Sequence, residues 1–488
     1  MKKLYAILLA IVCYNNSAQA NDIAVSQISL SNRNKAGGYV LVNFTVGWEN
    51  SFRISSGAAN YDAAWVFIKY KVGDNGEWKP ATINNGGHSF PSGCSATQPD
   101  NTGLFVYRSS NGTGSISFSG IQLRWNYGTD GVGDDDKVYV KVFAVEMVYI
   151  PQGSFQVGSG GQNLGEYRQA NDVSSSGTST TFTITSTAPT LQGNNTSSSD
   201  ANLSARNGDA FDLGTTTNTA SLATGYPTGY GDFYCMKYEI SQGQYRDFLN
   251  TLTYTQQAAR TENPPNSSLG TGALSTAGAD RNGIEISSPG VNATTPAVYG
   301  CDLNGNNTAN EASDGEWVAC NYLSWEDVIA YLDWAGLRPI TELEYEKACR
   351  GDQSPVPDEY AWGNTTATFL AAINNNGQTS ESSGTTNANA NNGSFSGPHR
   401  VGMFATSGSS RAQSGSSYYG VMDLSGNLWE QVISIGSTGG RSFTGATGNG
   451  SLASNGFHNV SNWPDYNGGG KRGGGWFGPG GALYVSFR

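Results

Sequence analysis

Two carboxylates, Asp423 and Glu430, stand seven residues apart in the segment DLSGNLWEQ, on either side of a Ser-Gly-Asn turn. Acid/base catalysis would need both to face one substrate atom, with at least one pKa shifted by burial or by a partner. A calcium site instead needs hard oxygen ligands that converge from a tight turn, with backbone carbonyls completing the shell. Asp423, Glu430 and the carbonyls of Gly426 and Leu428 suit the second arrangement, so we expect a structural calcium ion here.

Histidines give the two carboxylates no catalytic support. The chain has three, His88, His399 and His458, and they are scattered without the spacing of a metal-binding motif. None lies near the Asp423–Glu430 turn in sequence. The residue types therefore favour a cation site over an acid/base pair.

The composition favours strands joined by long turns. The 488 residues are enough for two or three domains, since single hydrophobic cores stop growing at shorter lengths. Only 37% of residues are hydrophobic and 14% are charged, while 65 are glycine. The net charge of -12, from 27 basic and 39 acidic residues, provides no basic surface for a phosphate backbone, so we expect no nucleic-acid partner.

The first twenty residues, MKKLYAILLAIVCYNNSAQA, have the pattern of a secretory signal: two lysines, an apolar run and the ending Ala-Gln-Ala. We predict residues 1–20 as a signal peptide and a protein that is secreted or held at the cell surface, with the periplasm as an open alternative. Val12 before Cys13 disfavours lipid attachment there. No other stretch is long and apolar enough to span a bilayer.

Export makes the cysteines candidates for disulfides. Five remain after the signal: Cys94, Cys235, Cys301, Cys320 and Cys349. Cys301 and Cys320 bracket a polar segment, and a bridge between them would remove about 3 kcal/mol of unfolded-state entropy. We predict that bridge, although sequence alone does not give connectivity.

Residues 21–145 are predicted to form an antiparallel β-sandwich. Runs such as GYVLVNFTVGW, AAWVFIKYKV and KVYVKVFAVEM alternate apolar and polar residues and are separated by Gly, Asn and Ser turns. Trp48, Trp65 and Trp125 could form a sugar-stacking platform, but core packing between two sheets is the favoured interpretation.

Residues 146–488 are predicted to form an α+β unit with few helices and much irregular chain. Polar insertions are expected at about 159–225, 253–318 and 363–417. Ser241 with Gln244, and Thr341 with Glu344, match capping boxes that begin helices, and Gly351 is the stop of the second. The helix between these two is predicted from four apolar residues at helical spacing after the N-cap candidate Ser324, namely Trp325, Val328, Ile329 and Leu332.

Six segments in order from about residue 146 resemble the formylglycine-generating enzyme (sulfatase-modifying factor) family: MVYIPQGSFQVGS, FYCMKYEISQGQYRDFL, NYLSWEDVIAYLDWAGLRPITELEYEKACRG, YAWGN, YGVMDLSGNLWEQ and RGGGW. The resemblance implies a variant C-type lectin fold for this unit. It also implies that calcium binds Asp423 and Glu430 through their side chains and Gly426 and Leu428 through backbone oxygens. A second calcium site would begin near Asn374.

The chain departs from the family pattern at the redox site. Enzymes of this family oxidise a sulfatase cysteine with copper held by two thiolates, and the resemblance places those positions on Gly478 and Leu483. The serine of the family motif is replaced by Gly475. Because Cu(I) needs thiolate or thioether ligands, we expect no copper here. The tail stops at Arg488, before the final strand that domains of this family usually have. We therefore expect either that the chain is shortened or that something else completes the sheet.

The leading hypothesis is an exported, non-catalytic relative of this family that acts as a calcium-stabilised binding or surface-assembly module, with an unknown surface ligand or self-association as its partner. One alternative is an oxidase with a different metal site on the same fold. Another is a subunit of an extracellular filament or layer, suggested by the polar insertions and the odd number of cysteines.

Overall fold

The computed structural model describes residues 23–163, 165–172, 179–193, 202–206, 211, 213, 218–406 and 408–488. The predicted signal peptide, with Cys13, lies outside the described residues, as do parts of the first predicted insertion.

Strands and irregular segments dominate the molecule, and its helices are short. The strands are β1 (Ala24–Asn34), β2 (Tyr39–Arg53), β3 (Asp62–Val72), β4 (Lys79–Pro80), β5 (Cys94–Thr97), β6 (Gly103–Arg108), β7 (Gly112–Trp125), β8 (Val138–Ile150), β9 (Phe155–Val157), β10 (Tyr167–Gln169), β11 (Phe182–Ile184), β12 (Thr190–Gln192), β13 (Asn202–Ala205), β14 (Thr219–Ala220), β15 (Phe233–Met236), β16 (Ile284–Ser288), β17 (Val298–Cys301), β18 (Ile373–Asn374), β19 (Ser382–Ser383), β20 (Glu430–Ile433) and β21 (Gly469–Arg472). The helices are α1 (Gln242–Leu249), α2 (Tyr254–Arg260), α3 (Trp325–Ala335), α4 (Glu342–Arg350), α5 (Arg411–Ser414) and α6 (Thr438–Arg441). Short 3₁₀ turns cover Ala279–Arg281, Tyr466–Gly468 and Gly480–Leu483. The β-rich fold class expected from the sequence is confirmed.

Two antiparallel sheets pack face to face near the N-terminus. One has the order β1-β2-β7, and the other has the order β15-β8-β3-β6-β5 with β4 paired to β3. Period-two alternation directs one side of each strand inward, so that Phe44 and Trp48 of one sheet share a core with Val66 and Ile68 of the other. Trp125 is buried in the same core, so core packing between the two sheets is confirmed for Trp48 and Trp125. For Trp65 it is wrong, because Trp65 is buried on the opposite face of the larger sheet.

The opposite face of the larger sheet packs against the second unit. Trp65 lies on that face, and its Nε1 donates to the carbonyl of Ala335 at 2.7 Å. Lys69 on the same strand donates from Nζ to the carbonyl of Trp334 at 2.6 Å and to the carbonyl of Gly450. The C-terminal end of α3, whose carbonyls lack partners within the helix, is thus satisfied by side chains of β3.

Strand β8 (Val138–Ile150) runs through the boundary placed at residues 145 and 146. Its last residues pair with β15, in the register Ile150 to Phe233 and Met147 to Met236. The sandwich and the second unit therefore share one continuous sheet. Within the predicted insertion of about 253–318, the structure places α2, β16 and β17.

The three predicted helix starts are confirmed. The hydroxyl of Ser241 accepts from the backbone N–H of Gln244, and Thr341 accepts from Glu344 in the same way at the start of α4. Ser324 caps α3 by accepting from Asp327. Helix α4 ends at Arg350 and is capped by Gly351, where φ is 68° and a side chain would collide with the ring of Tyr418.

The predicted disulfide between Cys301 and Cys320 is wrong in this structure, because both residues are free thiols. Hydrogen bonds organise the loop between them instead: the carboxylate of Asp302 accepts the N–H of Asn307 at 2.7 Å, and that of Asp314 accepts the N–H of Glu311 at 2.6 Å. Both thiols are buried in the largest hydrophobic core. They act there as small apolar groups, and burial raises the pKa of each.

Within the part of the chain that the structure describes, no helix has the length and apolar character needed to cross a membrane.

Candidate functional site

The Asp423–Glu430 segment forms a compact turn between the loop after α5 and strand β20. Asp423 and Asn427 have φ values of 60° and 63°, a left-handed conformation that Asp and Asn tolerate better than most residues. Gly426 has φ of 102°, and a Cβ there would lie 2.8 Å from the carbonyl oxygen of Asn391. Glycine is therefore required at this point of the turn.

Asp423 is buried, with 6% of its surface exposed. Its Oδ2 accepts the backbone N–H of Gly402 at 2.6 Å. Burial raises the pKa of the Asp423 carboxyl to about 6. One oxygen of this side chain is thus engaged by the protein, and the ionised form is disfavoured unless a cation compensates it.

Glu430, the first residue of β20, has both carboxyl oxygens buried and without a hydrogen-bond donor from another described residue. Burial raises its pKa well above the usual range, with further contributions from Glu239 and Asp423. Gly473 in the RGGGW segment makes room for it, since a Cβ there would lie 2.0 Å from Glu430 Oε2. A buried carboxylate without a hydrogen-bond partner costs free energy. The position of Glu430 therefore calls for a ligand.

Glu239 completes the group and was not anticipated from the sequence. Its Oε1 accepts the backbone N–H of Leu428 at 2.8 Å, and its Oε2 accepts from Asn427 Nδ2. Burial, followed by the charge of Asp423, raises the pKa of Glu239 well above its usual value. Its only sequence signal was an acidic residue in KYEIS, just before the capping box of α1, and nothing local linked it to Leu428, 189 residues away.

The turn leaves backbone oxygens available on the same segment. The amide of Gly426 donates to the carbonyl of Gly473 at 2.9 Å, and the amide of Leu428 is used by Glu239. The carbonyls of Gly426 and Leu428 accept no hydrogen bond from any described residue. These two carbonyls and the Glu430 carboxylate are hard oxygen donors of the kind that calcium takes.

The residues present therefore fit a calcium ion chemically. Across the described residues, no group of three or more His, Cys, Asp or Glu side chains is placed so that it could hold a metal ion. A cation at this turn would consequently depend on the backbone carbonyls as well as on the carboxylates. Its contribution would be to neutralise buried negative charge and so stabilise the folded turn.

The glycine-rich tail packs directly on this turn. The N–H of Trp476 donates to the carbonyl of Asn427 at 2.7 Å. Asn392 Nδ2 donates to the carbonyl of Gly475 at 2.8 Å and to that of Gly478 at 3.3 Å. The side chain of Phe477 is 77% exposed.

The two tail positions that the resemblance assigns to copper ligands have different environments. Gly478 has open space where a side chain would stand. Leu483 is fully buried and packs with Tyr360, Trp362 and Ala390. Neither side chain can coordinate a metal.

The other candidate residues are dispersed. His399 is buried with its Nδ1 against the carbonyl of Arg400, and burial lowers the pKa of its imidazole to about 3. His88 contacts Gln98 in the sandwich, and His458 packs on Trp463. Asn374, near which a second calcium site was expected, lies at the exposed end of β18.

A cavity of about 570 Å³ adjoins the turn. Glu239, Leu428 and Glu430 line one side, while Phe105 and Met147 of the shared sheet line another. The Glu239 and Glu430 carboxylates thus lie at the junction of the two units.

These observations define a class of protein, which is β-rich and has a buried carboxylate turn with a glycine-rich tail packed on it. Residues 187–479 match the family described as the sulfatase-modifying factor enzyme 1-like domain. That match covers more than half of the chain, and the chain belongs to this family. The formylglycine-generating enzyme of Bos taurus is 29% identical over 139 residues, which are 27% of this chain and 33% of that protein. The chain therefore aligns with about a third of the length of this curated relative.

Proposed function

We propose that this chain is a non-catalytic member of the family and serves as a calcium-stabilised binding or surface-assembly module. The observation that carries the proposal is the identity of the two tail residues, Gly478 and Leu483, where the resemblance implies copper-binding thiolates. A Cu(I) centre cannot form from these side chains. A family fold that keeps its carboxylate turn but lacks its thiolates is suited to binding rather than to oxidation.

Calcium is the ion that we propose for the turn, with side-chain oxygens from Asp423 and Glu430 and backbone oxygens from Gly426 and Leu428. The support is the buried Glu430 carboxylate without a partner, together with two carbonyls that no described residue occupies. Glu239 would hold the turn in place through Leu428 and Asn427 and would not need to be a ligand.

The finer fold and the cellular location belong to the same proposal. The order of the six family segments supports a variant C-type lectin fold for residues 146–488. The segment MKKLYAILLAIVCYNNSAQA supports export, to the cell surface or the extracellular medium.

The test is a paired assay of metal content and activity on the purified, signal-cleaved protein. Elemental analysis after dialysis should give calcium near one equivalent and no stoichiometric copper or iron. A sulfatase-type cysteine peptide, incubated with the protein and copper under air, should remain unoxidised by mass spectrometry, with a catalytic family member as the positive control.

Two results would favour the alternatives. Formylglycine in the peptide, or stoichiometric copper or iron with oxygen consumption, would support an oxidase and overturn the non-catalytic proposal. Ordered filaments or layers of the secreted material in electron micrographs would instead assign the molecule to an extracellular assembly.

A further inference from the structure

A buried lysine lies beside two buried carboxylates on three neighbouring strands of the larger sheet. Lys237 directly follows β15, and its backbone N–H donates to the carbonyl of Glu146 in β8 at 2.9 Å. Asp62 begins β3, on the other side of β8, where it pairs with Val148. Because residues two apart on a strand share a face, Glu146 and Asp62 project from the same side of the sheet as Lys237.

The ammonium of Lys237 contacts both carboxylates in a site that is closed to solvent. Its Nζ lies 3.0 Å from Asp62 Oδ2 and 3.1 Å from Glu146 Oε2. The exposed fractions of the side chains are 4% for Lys237, 0% for Asp62 and 1% for Glu146. Burial disfavours the charged lysine, but the neighbouring groups Tyr238, Glu146 and Asp62 raise its pKa well above the ordinary value. The three groups therefore start as a buried ion pair with a second carboxylate in contact.

The Asp62 carboxyl is held as an acyl acceptor would need to be. Its Oδ1 accepts the hydroxyl of Ser51 at 2.9 Å and the backbone N–H of Phe52 at 3.0 Å. Two such donors stabilise the negative charge that develops on this oxygen when a nucleophile adds to the carboxyl carbon. The other oxygen, Oδ2, accepts the indole N–H of Trp48 at 3.0 Å and faces Lys237. The oxygen on the lysine side is thus placed to leave, and the opposite one to become an amide oxygen.

We propose that Lys237 and Asp62 form an intramolecular amide bond, with Glu146 as the group that moves the protons. One proton passes from the Lys237 ammonium to the Glu146 carboxylate, and the neutral amine adds to Cγ of Asp62. Collapse of the adduct breaks the bond between Cγ and Oδ2. This oxygen leaves as water with two protons that began on the ammonium, one of them delivered by Glu146. The third proton stays on the amide nitrogen and Glu146 ends ionised, so atoms and charge balance without a co-reactant.

Fixed contact and the exclusion of water favour amide formation here. Groups held in reacting geometry behave as if present at about 10⁵–10⁸ M, and a dry site keeps water from reversing the step. The bond connects residues that lie 175 positions apart in the chain, and it joins the sandwich to the second unit. Unlike a salt bridge, such a link persists in denaturant.

Mass spectrometry of the full, signal-cleaved protein, unfolded in denaturant with reductant, tests this. The intact protein should be lighter than its sequence mass by one water molecule. After trypsin digestion, residues 54–69 should remain joined to residues 207–246, because trypsin does not cut after an acylated lysine. A wild-type mass equal to the sequence mass, or loss of water without these joined peptides, would overturn the proposal.

Variants assign the roles. Lys237→Met removes the nucleophile and should show the full sequence mass. Glu146→Gln keeps the shape of the side chain but cannot carry protons, and most of that protein should stay without the cross-link, because acid/base catalysis supplies about 10²–10⁴-fold in rate. Lys471→Met removes an exposed lysine of β21 and should leave the loss of water unchanged.

The opposite results would count against the proposal. Loss of water in Lys237→Met would place the reaction elsewhere in the chain, and complete cross-linking in Glu146→Gln would overturn the proton path. Should either variant not fold, the peptide map of the wild-type protein decides by itself, since joined or separate peptides are read without any substitution.

Discussion

The carboxylate of Glu239 accepts the backbone N–H of Leu428 at 2.8 Å, which ties the segment after β15 to the turn that ends at Glu430. Strand β15 is itself part of the sheet shared with the sandwich. The turn, the tail packed on it and the N-terminal sheet are therefore mechanically connected. Loss of charge balance at the turn should consequently affect the stability of the whole molecule and not only of one loop.

The first prediction concerns calcium binding at the turn. Chelation should lower the melting temperature and added calcium should restore it, since an ion that binds only the folded state stabilises it by about 2.7 kcal/mol at a concentration of 100 times Kd. Asp423→Asn keeps an oxygen for the N–H of Gly402 but removes the charge, and it should abolish most of this response. Differential scanning calorimetry with and without chelator measures it. Asp135→Asn, an exposed carboxylate in the sandwich, is the control. A wild-type melting curve that ignores both chelator and calcium would disprove the site.

The second prediction concerns pH. The folded pKa of Asp423 is about 6, above its ordinary value of 3.8, so the folded state holds this proton more tightly than the unfolded state does. The contribution of Asp423 to the free energy of unfolding is fully present below about pH 4 and is lost as the pH rises through about 6. This loss lowers the free energy of unfolding by about 3 kcal/mol. Glu239 and Glu430, whose pKa values are also raised, act in the same direction.

Urea unfolding of calcium-free protein between pH 4.5 and pH 7.5, a range chosen to span about 1.5 units on either side of that pKa, measures this loss. Saturating calcium should remove the loss, because the cation favours the ionised carboxylates. Glu430→Gln should flatten the profile of the calcium-free protein. Stability that rises across this range without calcium would contradict the prediction.

The third prediction concerns the core around α3. Ile329 is 1% exposed and lies in the same cluster as Trp325 and Leu332, at 3% and 8% exposure. Ile329→Ala should reduce the free energy of unfolding by about 2–5 kcal/mol through lost burial and a residual cavity. Val328 on the same helix is only partly buried, so Val328→Ala should cost clearly less. Chemical denaturation compares the two, and equal losses would argue against the observed helix orientation.

The fourth prediction concerns Lys69, the buried cation of β3 that contacts the end of α3. Burial lowers the pKa of its ammonium to about 7, so between pH 7 and pH 10 the unfolded chain binds more protons than the folded protein. The contribution of Lys69 to the free energy of unfolding therefore rises with pH across that range. Lys69→Met should lose this rise, and the difference between wild type and variant should grow from pH 7 to pH 9. A constant difference for Lys69→Met across this range would refute the lowered pKa.

Local sequence patterns were sufficient for the elements whose signals are local. The capping boxes at Ser241 and Thr341 fixed two helix starts, because a cap and its partner lie three residues apart. Alternation of apolar residues predicted the paired strands of the sandwich for the same reason. The turn at Asp423 and Gly426 was recognisable because its conformation depends on residue types within one short segment.

Contacts between distant parts of the chain were decided only by the tertiary structure. Glu239 joins the carboxylate group through a turn far along the sequence, and β8 continues past the expected boundary because β15 offers it a further partner. Cys301 and Cys320 are free thiols, and the loop between them is held by hydrogen bonds to the Asp302 and Asp314 carboxylates. Lys237 contacts Asp62 and Glu146 only because the two units pack together. Sequence by itself determined the local conformations and the residue types at Gly478 and Leu483. Long-range packing determined which charged groups are buried together, since burial depends on neighbours that local patterns do not specify.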